Sequence, residues 1–154
     1  MLGRLYERED CSAARALEIA GERWSLLILR DAFFRGTTRF SDFQRSLGVA
    51  PNILAKRLED FMDAGIMETH PSGSAGEHRE YHLTEKGLDF KPVVLALSAW
   101  GDRWSAPDGP PVAFEHAACG GRVVQRLHCK KCGATPKLSQ ITARATKPRQ
   151  PVSR

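Results

Sequence analysis

Thr38-Arg39-Phe40-Ser41-Asp42-Phe43-Gln44-Arg45-Ser46-Leu47-Gly48-Val49-Ala50-Pro51-Asn52-Ile53-Leu54-Ala55-Lys56-Arg57-Leu58 is the stretch on which the fold turns. Phe40, Phe43 and Leu47 recur at i, i+3 and i+7, the spacing that gathers side chains on one face of a helix. Gly48 stops that helix, and Pro51 suits the first position of the next, where its missing N–H has no partner to lose. In the second helix Leu54, Leu58 and Phe61 form the apolar stripe, Asn52, Lys56 and Glu59 face elsewhere, and Gly65 ends it. Two short helices joined through Leu47-Gly48-Val49-Ala50 make a helix-turn-helix.

Upstream, residues 12–20 are good helix formers ending at Gly21, and the apolar run Trp24–Phe34, stopped by Gly36, marks a central core helix. Downstream, the alternating runs 66–70 and 79–83 flank a Pro/Gly/Ser loop and predict a β-hairpin, a wing beside the helices. Thr84 is a candidate N-cap for a helix running to Trp104, in which Pro92 either kinks the helix or begins a second segment. Leu88, Val93, Leu95, Leu97, Trp100 and Trp104 are more apolar residues than one small core asks of a terminal helix, and a second copy of the chain is their natural cover. The expected class is mainly α with a small hairpin wing, followed by a short zinc-ribbon-like element. The expected organisation is a winged domain over 1–105, a linker over 106–115, a zinc-binding segment over 116–142 and a disordered basic tail over 143–154.

The chain has 154 residues, with 42% hydrophobic and 27% charged, enough to bury a core. No apolar run reaches membrane length, and Met1–Asp10 turns acidic at once with no apolar signal core, so the cytoplasm is the expected compartment. The net charge of +5 is unevenly spread. Residues 116–154 hold nine Lys/Arg and no acid, leaving 14 Lys/Arg against 18 Asp/Glu in residues 1–115. The larger part therefore meets nucleic acid, if at all, through local basic patches.

Reduced thiols are expected of the four cysteines in that compartment. His116-Ala-Ala-Cys119 and Cys129-Lys-Lys-Cys132 form an HxxC…CxxC pair, each followed by a glycine that permits a tight turn. One imidazole and three thiolates at this spacing suit tetrahedral zinc, expected as one structural ion, and a segment this short needs a metal's folding energy. His128 is a less natural ligand beside Cys129, and a metal-free thiol pair is the plain alternative. A redox enzyme built on Cys129 and Cys132 lacks the βαβ setting such motifs use. No paired-carboxylate, Ser/His/Asp or phosphate-cradling pattern points to an enzyme.

Several strings together resemble the HxlR-type transcriptional regulators, bacterial winged helix-turn-helix proteins related to the MarR group. They are Gly21-Glu22-Arg23-Trp24-Ser25-Leu26-Leu27-Ile28-Leu29-Arg30-Asp31, Arg39–Gln44, Val49–Leu58, Glu80–Gly87 and Trp100-Gly101-Asp102-Arg103-Trp104. The resemblance covers roughly residues 11–105 and says nothing of zinc. It implies a homodimer without enzymatic activity that binds double-stranded DNA at inverted-repeat operators, with a small-molecule or redox effector. Cys11 aligns with a cysteine that senses oxidants in some members, which makes it the candidate redox sensor. That role needs exposure and positive surroundings, which Arg8 and Arg15 supply and Glu7, Glu9 and Asp10 oppose.

The second helix of such a motif enters the major groove with its N-terminal residues at base edges. Asn52 suits adenine, Lys56 and Arg57 suit guanine or phosphate, and Arg39 ahead of the first helix suits phosphate. Arg57 can instead pair with Asp60, and Arg39 can sit in a surface ion pair. Arg79, beside the hairpin loop, suits the minor groove, whereas His78 reads as a solvated turn residue. The alternative is a protein–protein adaptor that uses the winged helix as a dimer scaffold and the zinc element as a grip. Glu59, Asp60 and Asp63 favour it, but they lie toward the far end of the helix from Asn52 and Lys56.

Overall fold

A computed structural model describes residues 6, 11–73, 78–144 and 146. The chain divides into two compact units, Met1–Val94 and Leu95–Arg154. The division falls inside a helix and ahead of the 106–115 segment expected as the linker.

The first unit runs α1 (Ser12–Ala20), α2 (Ser25–Arg35), α3 (Phe40–Leu47), α4 (Pro51–Asp63), β1 (Met67–Ser72), β2 (His78–Leu83) and α5 (Glu85–Leu88), and includes the start of α6 (Lys91–Trp104). The core follows the predicted stripes. Ile28 and Leu29 from α2, Phe43 from α3, Leu54, Leu58 and Phe61 from α4, and Ile66 and Met67 are buried together with Val49 and Val94. Each large apolar side chain so buried stabilises the fold by about 1.5–3 kcal/mol. Trp24, Phe40, Leu47 and Leu83 pack against this cluster while partly exposed.

Two carboxylates, Asp31 and Asp60, are buried beside it. Asp31, fully buried on α2, meets Arg30 at 2.8 Å and Arg35 at 3.6 Å, and accepts a hydrogen bond from Ser46 of α3 at 2.5 Å. These partners satisfy a carboxylate that would be costly to bury alone, and they tie α2 to α3.

The strands pair antiparallel from Met67 opposite Leu83 to Ser72 opposite His78, so the hairpin extends past the predicted 66–70 and 79–83 to take in Pro71, Ser72 and His78. Pro71 is tolerated because a two-stranded sheet gives each strand a free edge. The Tyr81 N–H donates to the Thr38 carbonyl at 2.7 Å and Arg39 bridges Glu80, which fastens the hairpin to the entry of α3. Part of the expected loop, residues 74–77, lies outside the described residues.

Thr84 caps α5 as predicted, accepting from the Gly87 N–H at 3.1 Å. A Cβ at Gly87 would sit 2.2 Å from the Ile66 carbonyl oxygen, so only glycine lets α5 dock against the base of the hairpin. Pro92 begins a second segment rather than kinking one long helix. It lies in the first turn of α6, where no N–H is missed.

In the second unit α6 ends at Trp104, and the chain continues through turns, an isolated bridge between Glu115 and Arg122 and a 3-10 turn at Leu138–Gln140. From Leu95 onward none of the described residues is buried. Most of the tail expected over 143–154 lies outside the described residues. No helix among them is long and apolar enough to cross a membrane.

Candidate nucleic-acid interface

With Leu54, Leu58, Asp60 and Phe61 turned inward, α4 presents Asn52, Ile53, Ala55, Lys56 and Glu59 outward. Ile53 was not among the sequence candidates. It is 41% exposed although apolar, and it sits between Asn52 and Lys56 on the open face.

Asp60 organises the cations of this helix. Its carboxylate, buried on α4, lies 2.7 Å from the Lys56 ammonium and 3.3 Å from the Arg57 guanidinium. The hydrogen bond to Asp60 holds the Lys56 pKa above its ordinary value, so this contribution is intact below the ordinary lysine range and fades only as pH rises through the raised value. Lys56 remains half exposed. Arg57 is only 18% exposed and also leans on Glu22 at 3.7 Å. The Asp60 pair named as the alternative for Arg57 is thus formed.

Arg39 occupies the N-cap of α3. Its Nε lies 3.0 Å from Glu80, while the side chain stays 58% exposed. The ion pair named as its alternative is therefore also present. Glu80 additionally accepts from the Ser72 hydroxyl at 2.9 Å. The Arg39 guanidinium first, and then Ser72, hold the Glu80 carboxyl below its usual range. This tie is present above the ordinary glutamate range and is lost as pH falls through the lowered value. Arg79 is exposed on β2 opposite Pro71, and His78 stands opposite Ser72, both beside the hairpin loop. Farther down, the His70 and His82 rings stack at 4.7 Å, with Glu68 at 3.1 Å from His70 and Glu80 at 3.5 Å from His82.

Two further features lie on other helices. On α6, Val93, Leu97, Trp100 and Trp104 are all exposed and recur at steps of four, three and four, the a/d pattern of a helix seam. Cys11 is exposed at the N-cap of α1. Arg15, expected as its cation, is held by Glu18 at 2.8 Å and by the Tyr6 carbonyl. Arg8, Glu7, Glu9 and Asp10 lie outside the described residues.

In the second unit the cysteine motifs form two turns with one hydrogen-bond pattern. The His116 N–H donates to Gly121 and the Gly120 N–H returns to His116, both at 2.8 Å. The Cys129 N–H donates to Ala134 and the Gly133 N–H returns to Cys129, again both at 2.8 Å. Gly120 and Gly133 take φ values of 68° and 71°, the left-handed conformation that glycine adopts without strain. The His116 Nδ1 lies 3.3 Å from the Cys119 sulfur. Backbone N–H groups of Cys132 and Lys131 reach the Cys129 sulfur and hold its thiol below the usual range. Among the described residues, no three His, Cys, Asp or Glu side chains are gathered around one point to hold an ion, so the four candidates stand as two separate pairs.

The HxlR-like helix-turn-helix family matches residues 19–109. The chain is 42% identical to the uncharacterized HTH-type transcriptional regulator Rv3095 of Mycobacterium tuberculosis, over 96% of this chain and 89% of that one. The crystal structure of PA1607, assigned as a transcription factor, superposes with a TM-score of 0.80 at 37% identity, covering 89% of this chain and 96% of that chain. The redox regulator HypR in its oxidized form is similar over 60% of this chain and 96% of its own, at 26% identity and a TM-score of 0.55. The two fuller matches must extend past the winged unit, so they take in sequence and structure beyond Trp104.

Proposed function

The chain belongs to the HxlR-like helix-turn-helix family, whose members are transcriptional regulators and not enzymes, and on that premise we propose that it binds an inverted-repeat operator as a cytoplasmic homodimer. The observation that carries this reading is the outer face of α4, where Asn52, Ile53 and Lys56 stand together at the N-terminal half of the helix.

In this reading Asn52 pairs with adenine through its amide and Ile53 packs on a thymine methyl, contacts the major groove offers at base edges. Lys56 meets guanine or phosphate. Arg57, braced by Asp60 and Glu22, orients the helix and adds positive potential near the backbone. Arg39 contacts phosphate from the start of α3, and Arg79 reaches the minor groove from the hairpin. In this reading the seam of α6 joins two copies, and their two recognition helices take the two half-sites of an inverted repeat. The adaptor alternative draws no support, since Asp60, part of its acidic face, is buried against Lys56 and Arg57.

Selection from random duplexes with the purified protein tests the proposal. The expected product is an inverted repeat with half-sites roughly 10 base pairs apart centre to centre. Enrichment of no sequence, or of an unpaired half-site bound by one chain, overturns it.

Within this reading Cys11 is the redox-responsive position, exposed at the start of α1, and the likeness to HypR supports an oxidant as effector. Peroxide is expected to change operator affinity in the wild type and not in Cys11→Ser. An equal response in both removes Cys11 from the role.

A further inference from the structure

We propose that His116, Cys119, Cys129 and Cys132 bind one structural zinc ion per chain, drawing two preformed turns onto a common centre. The inference concerns the second unit alone and stands independently of the DNA-binding reading.

The first support is repetition. His116-Ala-Ala-Cys-Gly-Gly121 and Cys129-Lys-Lys-Cys-Gly-Ala134 share only the cysteine and the glycine that follows it. They nevertheless close through the same pair of backbone hydrogen bonds and the same left-handed glycine. Each turn carries a metal-ligating side chain at its first and fourth positions. Building that device twice within 20 residues has no packing purpose, because every residue of both turns is exposed except Cys129, which is partly so.

The second support is distance. Two donors on one tetrahedral zinc, at roughly 2.0 Å for nitrogen and 2.3 Å for sulfur, lie about 3.5 Å apart. The His116 Nδ1 and Cys119 Sγ are 3.3 Å apart.

The third support is the missing core. Val123, Val124, Leu127, Leu138 and Ile141 are all exposed, so hydrophobic burial does not hold this unit in shape. A metal cross-link is the established substitute in so small a segment.

The charge also balances. Three thiols release their protons to solvent and a neutral imidazole adds none, so the bound centre carries one negative charge with no change of oxidation state. Arg122, Arg126, Lys130 and Lys131 offset it, and no acid lies between residues 116 and 154. The nitrogen and three sulfur donors select zinc over harder cations.

The test uses the full chain, purified reduced, loaded with excess zinc and desalted. Elemental analysis is expected to find about one zinc per chain. Cobalt is expected to give the intense visible bands and thiolate charge-transfer band of a tetrahedral site, a readout that needs no variant. Cys119→Ser and Cys132→Ser are each expected to lose most of the zinc, while Cys11→Ser retains it. Near-zero zinc in the wild type, half an ion per chain, pale octahedral cobalt, or full zinc in both Cys119→Ser and Cys132→Ser overturns the proposal.

Discussion

Leu97→Glu leaves the protein monomeric and weakens its hold on a two-half-site duplex by at least about 100-fold. Leu97 lies in the middle of the exposed seam formed by Val93, Leu97, Trp100 and Trp104. Apolar side chains at alternating four- and three-residue steps form a stripe that a second helix covers by knobs-into-holes packing. A carboxylate at the centre of that stripe would be buried unpaired in the proposed dimer, which is costly. In the monomer the position is exposed, so the variant keeps its helices. Once the copies separate, each half-site is bound alone and the gain from linking two modest interactions is lost. Light scattering reads the mass, circular dichroism the fold and fluorescence anisotropy the affinity. A dimeric Leu97→Glu with undiminished affinity places the interface elsewhere.

Asn52→Ala and Lys56→Ala are expected to fail in different ways. Removing the Asn52 amide costs about 1–3 kcal/mol on the operator, roughly 5- to 150-fold, and leaves binding to scrambled DNA unchanged, because a base-edge contact carries sequence information. Removing the Lys56 ammonium weakens operator and scrambled duplexes alike and lowers the salt slope by about one, because a phosphate contact acts through counterion release. Lys56 pairs with Asp60 at 2.7 Å in the free protein, so its truncation also leaves Asp60 with Arg57 alone. Thermal melting of Lys56→Ala separates that structural cost from the loss at the DNA. Anisotropy titrations at several salt concentrations distinguish the two patterns. A loss confined to the operator for Lys56→Ala moves its contact from phosphate to guanine, whereas unchanged operator affinity in both variants contradicts the assignment of α4 as the reading helix.

Local physics made most of the winged unit legible. Phe40, Phe43 and Leu47, the Gly48 stop and Pro51 at a helix start are signals that each operate within a few residues, and α3 and α4 follow them closely. Thr84 and the alternating hairpin runs are signals of the same kind. The connections between cations and acids were harder to foresee. Arg39 finds Glu80 across 41 residues of chain, and Arg57 finds both Asp60 and Glu22, pairings that exist only after the helices pack. Glu59, Asp60 and Asp63 look alike in sequence, yet among them only Asp60 is buried, with Lys56 and Arg57 at its carboxylate. Ile53 was passed over because an apolar residue one place from a buried stripe reads as part of it. The repeated turn at 116–121 and 129–134 was visible as two motifs, but its shared backbone pattern is a property of conformation and not of residue identity.

The most direct test of a sequence-reading dimer is anisotropy of the purified protein on duplex DNA from upstream of its own gene, against a scrambled duplex, across a range of salt. The account predicts at least about tenfold preference for the native duplex, saturation at two chains per duplex and affinity that falls steeply as salt rises. Equal affinity for both duplexes, or saturation at one chain, contradicts it.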